Sequence, residues 1–178
     1  MVLFPFFRIR ISGLNNIPQN GSFILMPKHQ RWEEIPILGT SIERPLYYIA
    51  KHELFKNNIS RWFISLLGGL PLNRKQPSKS RQSLEVMLRL LKKGEGVVIF
   101  PEGTYYRGRM GKGHQGLIRM IYSRLDTNFI PVGIKYSKKR WRTQVIIKIG
   151  EPIYGDSVNN FQEIGDYIMK EIARLSGL

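Results

Sequence analysis

The 178-residue sequence predicts a single-domain α/β sandwich whose mixed, largely parallel central sheet is flanked by helices. Three observations predict it. Short β-rich runs alternate along the chain with segments of helical periodicity. Several of those runs are apolar without alternation, as in strands buried on both faces. Gly and Pro fall between the runs and mark turns. A chain of this length forms one domain, spanning residues 1–178, that buries about two-thirds of its unfolded surface.

The strands come first. "FFRIRIS" (6–12) alternates apolar and basic residues and reads as a half-exposed strand. "SFILMP" (22–27), "LYYIA" (46–50), "LPLN" (70–73), "GVVIFPEG" (96–103), "FIPVGIKY" (129–136) and "QVIIKIG" (144–150) are the other strands. Pro131 lacks the N–H a central ladder needs, so its strand should be an edge, bulged, or starting there. Four helices separate or follow these runs. In and just after residues 52–69 the apolar positions 55, 59, 62, 63, 66, 67 and 70 fall on one face, and Gly68–Gly69 ends the segment. Residues 78–93 carry Leu84, Met87, Leu88 and Leu91, with Gly94 as the stop. Residues 113–125 and 160–175 also read as helices.

Composition narrows the function classes. Hydrophobic residues make up 42% and charged residues 23%, so the chain is globular. It has no cysteine, which excludes disulfides, thiolate metal sites and a cysteine nucleophile, and fits a cytosolic-side setting. "MVLFPFFRIRI" is too short to span a bilayer and lacks the features of a signal peptide. The net charge is +15, and residues 61–142 hold 18 Lys and Arg against 4 Asp and Glu. Such a field attracts nucleic acid, anionic lipid headgroups or a phosphorylated substrate. No nucleic-acid recognition motif accompanies it, and no nucleic-acid partner is expected.

Candidate chemistry begins in "KHQRWEE" (28–34). Five residues on one helix advance the direction by about 140°, so His29 and Glu34 would not share a helical face. They meet only if His29 lies in the loop after the 22–27 strand and Glu34 in the first turn beyond. The carboxylate would then hold one imidazole nitrogen, leaving the other to take a proton from a hydroxyl. Glu33 is a rival partner, and a surface histidine with local salt bridges is the competing reading. In "FPEGT" (100–104) a strand ends in a sharp turn that should expose Glu102 and offer N–H groups from Gly103 onward to an anion. Gly103 and Gly108 have the spacing of a phosphate loop, but the Lys and Ser/Thr that should follow are absent. In "GGLPLNRK" (68–75) Arg74 could grip a phosphate through two N–H groups.

Taken in order, these elements resemble the glycerolipid and lysophospholipid acyltransferase family, which includes bacterial 1-acylglycerol-3-phosphate acyltransferases. The first family motif, His followed after four residues by an acid, is His29 to Glu34. The second, a Gly-rich strand ending in Arg, ends at Arg74. The third, Phe-Pro-Glu-Gly-Thr, is intact at 100–104, and the fourth, an apolar Pro-Val strand, is Ile130-Pro131-Val132. The resemblance runs from about residue 8 to residue 153. It implies O-acyl transfer from acyl-CoA or acyl-carrier protein to a lysolipid hydroxyl, with no cofactor, no metal and no covalent acyl-enzyme. His29 would be the general base and Glu34 its orienting acid. Arg74, Glu102, Gly103, Thr104 and Arg107 would hold the acceptor, and Pro131 would shape the pocket or donor site.

The sequence departs from the family in three places. The acid at 34 is Glu where Asp is usual. Tyr105 and Tyr106 stand where Arg-Ser is common, which opens the choice of acceptor headgroup. The membrane-embedded N-terminal helices common in the family are not expected here. Peripheral binding to anionic membrane on the cytoplasmic side is expected instead, through "MVLFPFF" and the 53–70 helix with Trp62, Phe63 and Arg61. A non-catalytic binder of anionic lipid with the same fold is the alternative reading.

Overall fold

The computed structural model describes residues 7–72, 77–114, 116, 118, 121, 127–139, 141–154 and 163–178. Seven strands form one sheet: β1 (Phe7–Ser12), β2 (Phe23–Pro27), β3 (Leu46–Lys51), β4 (Gly69–Leu72), β5 (Gly96–Val98), β6 (Asn128–Lys139) and β7 (Arg142–Ile149). Their spatial order is β1-β7-β6-β2-β5-β3-β4. All neighbours run parallel except β6 and β7, an antiparallel pair closed by Lys139 opposite Arg142. The helices are α1 (Glu34–Ser41), α2 (Asn58–Leu66), α3 (Pro77–Lys92) and α4 (Ile164–Ser176). The expected helix at 113–125 lies mostly outside the described residues, within which Gly116, Ile118 and Ile121 are helical.

The central strands are apolar throughout because both faces are covered. Every residue of β2 is buried. Leu25, Val98 and Val132 pack on one side with Ile37 and Leu38 of α1. Ile24, Val97 and Phe129 pack on the other with Met87 and Leu91 of α3 and Ile164, Ile168 and Ile172 of α4. β1, at the edge, keeps the alternation its sequence shows, with Arg8 and Arg10 exposed. Gly133 lets α4 approach β6, since a Cβ there would lie 2.3 Å from the Leu175 carbonyl carbon.

One expectation needs correction, and another is met by only one of its three alternatives. β5 is short: Ile99 N–H still donates to the Leu25 carbonyl of β2 at 2.9 Å, and "FPEG" then leaves the sheet. Pro131 is not on an edge strand, because β6 runs between β7 and β2. The Pro131 carbonyl accepts from Gly150 N–H at 2.8 Å, so its ring nitrogen also faces the β7 side. There the pairs Val132–Ile149 and Phe129–Ile153 enclose one more residue on the 149–153 strand than on β6. That bulge is where the missing donor is tolerated.

Candidate active site

Parallel strands put their C-terminal ends on one edge of a sheet, and ligands bind there in open α/β folds. Here β2 leads into His29, β5 leads into Phe100–Thr104, and β3 ends at Lys51. β2 lies beside β5 and β5 beside β3, so the three loops converge.

His29 sits in the six-residue connection between β2 and α1, and Glu34 is the first residue of α1. His29 Nδ1 lies 2.8 Å from Glu34 Oε2. Glu34 is held from below: its Oε1 accepts from the N–H groups of Gln30 at 2.9 Å and Arg31 at 3.0 Å. Glu33 instead takes the N-cap position, where its carbonyl accepts from Ile37 N–H. The imidazole is stacked on Phe100, with ring centroids 3.8 Å apart, and tilted against Tyr105 at 4.4 Å. Both geometric conditions set by the five-residue spacing are therefore met: histidine in a loop, carboxylate in the next helical turn.

Burial dominates the electrostatics of this pair. Glu34 is 1% exposed, and the loss of hydration pushes its pKa up to about 8. The Gln30 and Arg31 N–H groups, the Tyr136 phenol and the Lys28 charge pull the other way and do not win. Tyr136 is half-buried, and its hydroxyl oxygen is buried with no partner in hydrogen-bonding geometry. It is close enough to Glu34 that burial and the carboxylate's charge push its own pKa up.

Glu102 does not occupy the exposed position expected of it. It is 2% exposed, and its carboxylate accepts from Lys28 Nζ at 2.7 and 2.9 Å, itself 0% exposed. Glu102 Oε2 also accepts from His29 N–H at 3.1 Å, and Oε1 from Gly111 N–H at 2.6 Å. Lys28 Nζ donates further to the Tyr106 carbonyl at 2.7 Å, and Tyr106 N–H donates to the His29 carbonyl at 2.9 Å. A buried ion pair thus clamps the histidine backbone to the loop after Phe-Pro-Glu-Gly-Thr. Gln30 adds a second clamp, donating to the Ile134 carbonyl at 2.7 Å and accepting from Gly108 N–H at 3.0 Å. The turn itself needs glycine at 103, where φ is +66°.

A cavity of about 160 Å³ opens beside the imidazole. Ile35, Tyr48, Ile49, Leu54 and Phe100 give it apolar walls, and Lys51, Gly103 and Thr104 add polar groups. Gly103 and Thr104 therefore gather at His29. Arg107 is exposed and is not among the lining residues. Pro131 lines a separate depression with Ile149–Ile153 and α4. Arg74 lies outside the described residues.

Sequence reasoning missed Lys28, Gln30, Tyr136 and Lys51. For Lys28 and Gln30 the available signal was the shortness of the 28–33 connection. Polar residues so close behind a fully buried strand have little reach to water and must find partners inside.

A family model described as Acyltransferase matches residues 8–135. The chain belongs to the Acyltransferase family. It is 29% identical to a chloroplast 1-acyl-sn-glycerol-3-phosphate acyltransferase of Arabidopsis thaliana, over 88% of this chain and 47% of the relative. It is 33% identical to the 1-acyl-sn-glycerol-3-phosphate acyltransferase of Bacillus subtilis, over 54% of this chain and 48% of that one. It is 28% identical to a lyso-ornithine lipid O-acyltransferase of Pseudomonas aeruginosa, over 74% of this chain and 49% of that one. The crystal structure of the Thermotoga maritima 1-acyl-sn-glycerophosphate acyltransferase PlsC superposes with a TM-score of 0.77 at 26% identity, over 97% of this chain and 72% of that chain. The chain spans about half the length of the curated relatives it matches. The family read from four ordered motifs and the mixed, largely parallel fold are both borne out, and the Acyltransferase match ends at residue 135, just beyond the fourth motif.

Proposed function

We propose that the protein is an O-acyltransferase that moves a fatty acyl group from an acyl thioester to the hydroxyl of a lysolipid. The observation that carries this reading is the buried His29–Glu34 pair, 2.8 Å apart, at the wall of a largely apolar cavity. A neutral hydroxyl is a poor nucleophile near neutral pH, and a positioned base contributes about 10²–10⁴-fold. Glu34 accepts from Nδ1–H and fixes the ring, so Nε2 carries the lone pair that takes the proton. The lysolipid hydroxyl attacks the thioester carbonyl while Nε2 takes its proton. The tetrahedral intermediate then collapses, the C–S bond breaks, and the imidazolium returns the proton to the departing thiolate. No acyl-enzyme forms.

Lys28 and Glu102 are positioning residues in this scheme: they hold the His29 backbone and do not reach the cavity. This replaces the acceptor-binding role expected of Glu102. Thr104 and the exposed Lys51 face the cavity and are the groups placed to meet an acceptor headgroup there. Acyl-CoA and acyl-carrier protein are both thioesters of the required kind. The acceptor is 1-acylglycerol-3-phosphate or a related lysolipid, in keeping with the names of the relatives.

The deciding experiment incubates the purified protein with acyl-CoA or acyl-carrier protein against a panel of lysolipids, including lysophosphatidic acid and lyso-ornithine lipid. Transfer that depends on His29 supports the proposal. No transfer to any acceptor, or full transfer by His29→Ala, overturns it.

A further inference from the structure

The apolar stripe of α2 faces solvent. Ile59, Trp62 and Leu66 recur at helical spacing and are 78%, 65% and 69% exposed. Leu54, 50% exposed, stands in the 3-10 turn that leads into α2 and also lines the His29 cavity. Turn and helix are fastened together. Arg61 Nε donates to the carbonyl of the buried Phe55 at 3.0 Å, and Asn57 Oδ1 caps the helix by accepting from Ile59 N–H at 2.9 Å. Lys51, Lys56 and Arg61 flank this face and are exposed, against one acid, Glu53.

We infer that this face docks on an anionic lipid surface, with α2 lying in the headgroup–acyl boundary and the mouth of the His29 cavity turned toward the bilayer. The inference rests on the reading that the cavity takes a lysolipid. Two observations select the occupant. The exposed Leu54 lines the cavity and belongs to the turn that Arg61 ties to α2 through the Phe55 carbonyl, so the cavity mouth and the stripe are carried by one connected segment. The flanking charges are mostly basic on a chain of net charge +15, which complements anionic headgroups. A tryptophan beside arginine on an amphipathic helix, with lysines just before it, is also the composition that settles at a membrane interface. A second copy of the chain fits less well. The exposed stripe of a nine-residue helix falls far short of the roughly 1,200 Å² a stable interface buries.

The test uses the whole chain and needs no catalysis. Trp32→Phe and Trp141→Phe leave Trp62 as the sole tryptophan. Its emission should shift to the blue and be quenched by brominated lipid on vesicles of phosphatidylcholine with phosphatidylglycerol. Added salt should weaken this binding by screening the basic flank. Ile59→Ser with Leu66→Ser should lower the vesicle partition coefficient about 10²-fold, since each loses roughly tenfold in apolar transfer. The same variant should still acylate lysolipid dispersed as monomers while losing activity on vesicle-embedded acceptor. Unchanged partitioning of the double variant, or Trp62 remaining in water on vesicles, overturns the inference. So does sedimentation showing that wild type buries the stripe in a dimer that the double variant abolishes. Vesicle binding without any acyl transfer would instead sink the catalytic reading and leave this one standing.

Discussion

Glu34→Gln is the sharpest probe of the dyad, because the structure fixes which way the amide must turn. Oε1 of Glu34 accepts from two backbone N–H groups, Gln30 at 2.9 Å and Arg31 at 3.0 Å. Oε2 faces His29 Nδ1 at 2.8 Å and is shared with Gln30 N–H at 3.1 Å. An amide placed here keeps its oxygen at the Oε1 position, since its NH₂ cannot oppose two N–H donors. The NH₂ therefore points at Nδ1 and donates to it. That forces the imidazole proton onto Nε2, the nitrogen the hydroxyl needs. The side chain stays in place while the base is lost, so kcat should fall by about 10²–10⁴-fold, the usual worth of a positioned base. The amide is neutral where burial already disfavours charge, so stability should be little changed. Release of CoA can be followed with a thiol-reactive dye, and a chain without cysteine gives no background. Nitrogen-15 shifts of the His29 ring report the tautomer directly. A variant that keeps activity within about threefold, or that keeps the Nδ1–H tautomer, refutes this account of the dyad.

Wild-type kcat/KM should rise about tenfold per pH unit on the acid side and level off near pH 8, because the dyad holds its extra proton up to about that pH and only the deprotonated form can take the hydroxyl proton at Nε2; a profile already flat at pH 6 contradicts it. Lys28→Met strands the Glu102 carboxylate in the interior and should cost about 3–5 kcal/mol in urea unfolding, with Lys28→Met/Glu102→Gln recovering part of the loss. Equal destabilisation in the single and double variants would show that the pair is not what holds this loop. Gly133→Ala should cost about 1–3 kcal/mol by the same measurement, since the new methyl meets the Leu175–Ser176 backbone and α4 must move; a loss under about 0.5 kcal/mol would mean that α4 is free to shift.

Most of the fold was legible because burial leaves a pattern in strands. Continuous runs such as "FILM" and "VVI" follow from cover on both faces, and "FRIRIS" alternates because β1 is an edge. What could not be read was pairing order. Pro131 shows why. Its sequence signal, a missing donor, is local, whereas the feature that accommodates it is a bulge near residue 150 of the neighbouring strand. The stripe at 59–66 shows the complementary limit. Its periodicity predicts a helix with one apolar face, but the same stripe serves a helix packed on a core and one turned outward. Only the exposure of Ile59, Trp62 and Leu66 distinguishes the two.

The site was legible in part, and the division follows from chemistry. Glu34 and Glu102 both lie buried within contact of His29, one from five residues along the chain and the other from 73. Their partners separate them. Glu102 meets a full positive charge, Lys28, and spends its remaining acceptor capacity on the N–H groups of His29 and Gly111. Such a carboxylate is committed to holding a loop. Glu34 meets backbone N–H groups and an imidazole, so whether its charge is matched depends on where the ring's proton sits. In the proposed mechanism a carboxylate in that position responds to proton transfer at Nε2. The Lys28–Glu102 contact joins residues 74 positions apart, so it could be found only once the chain was folded. The His29–Glu34 contact spans five residues, so spacing allowed it beside the rival Glu33, and the ordered family motif chose between them.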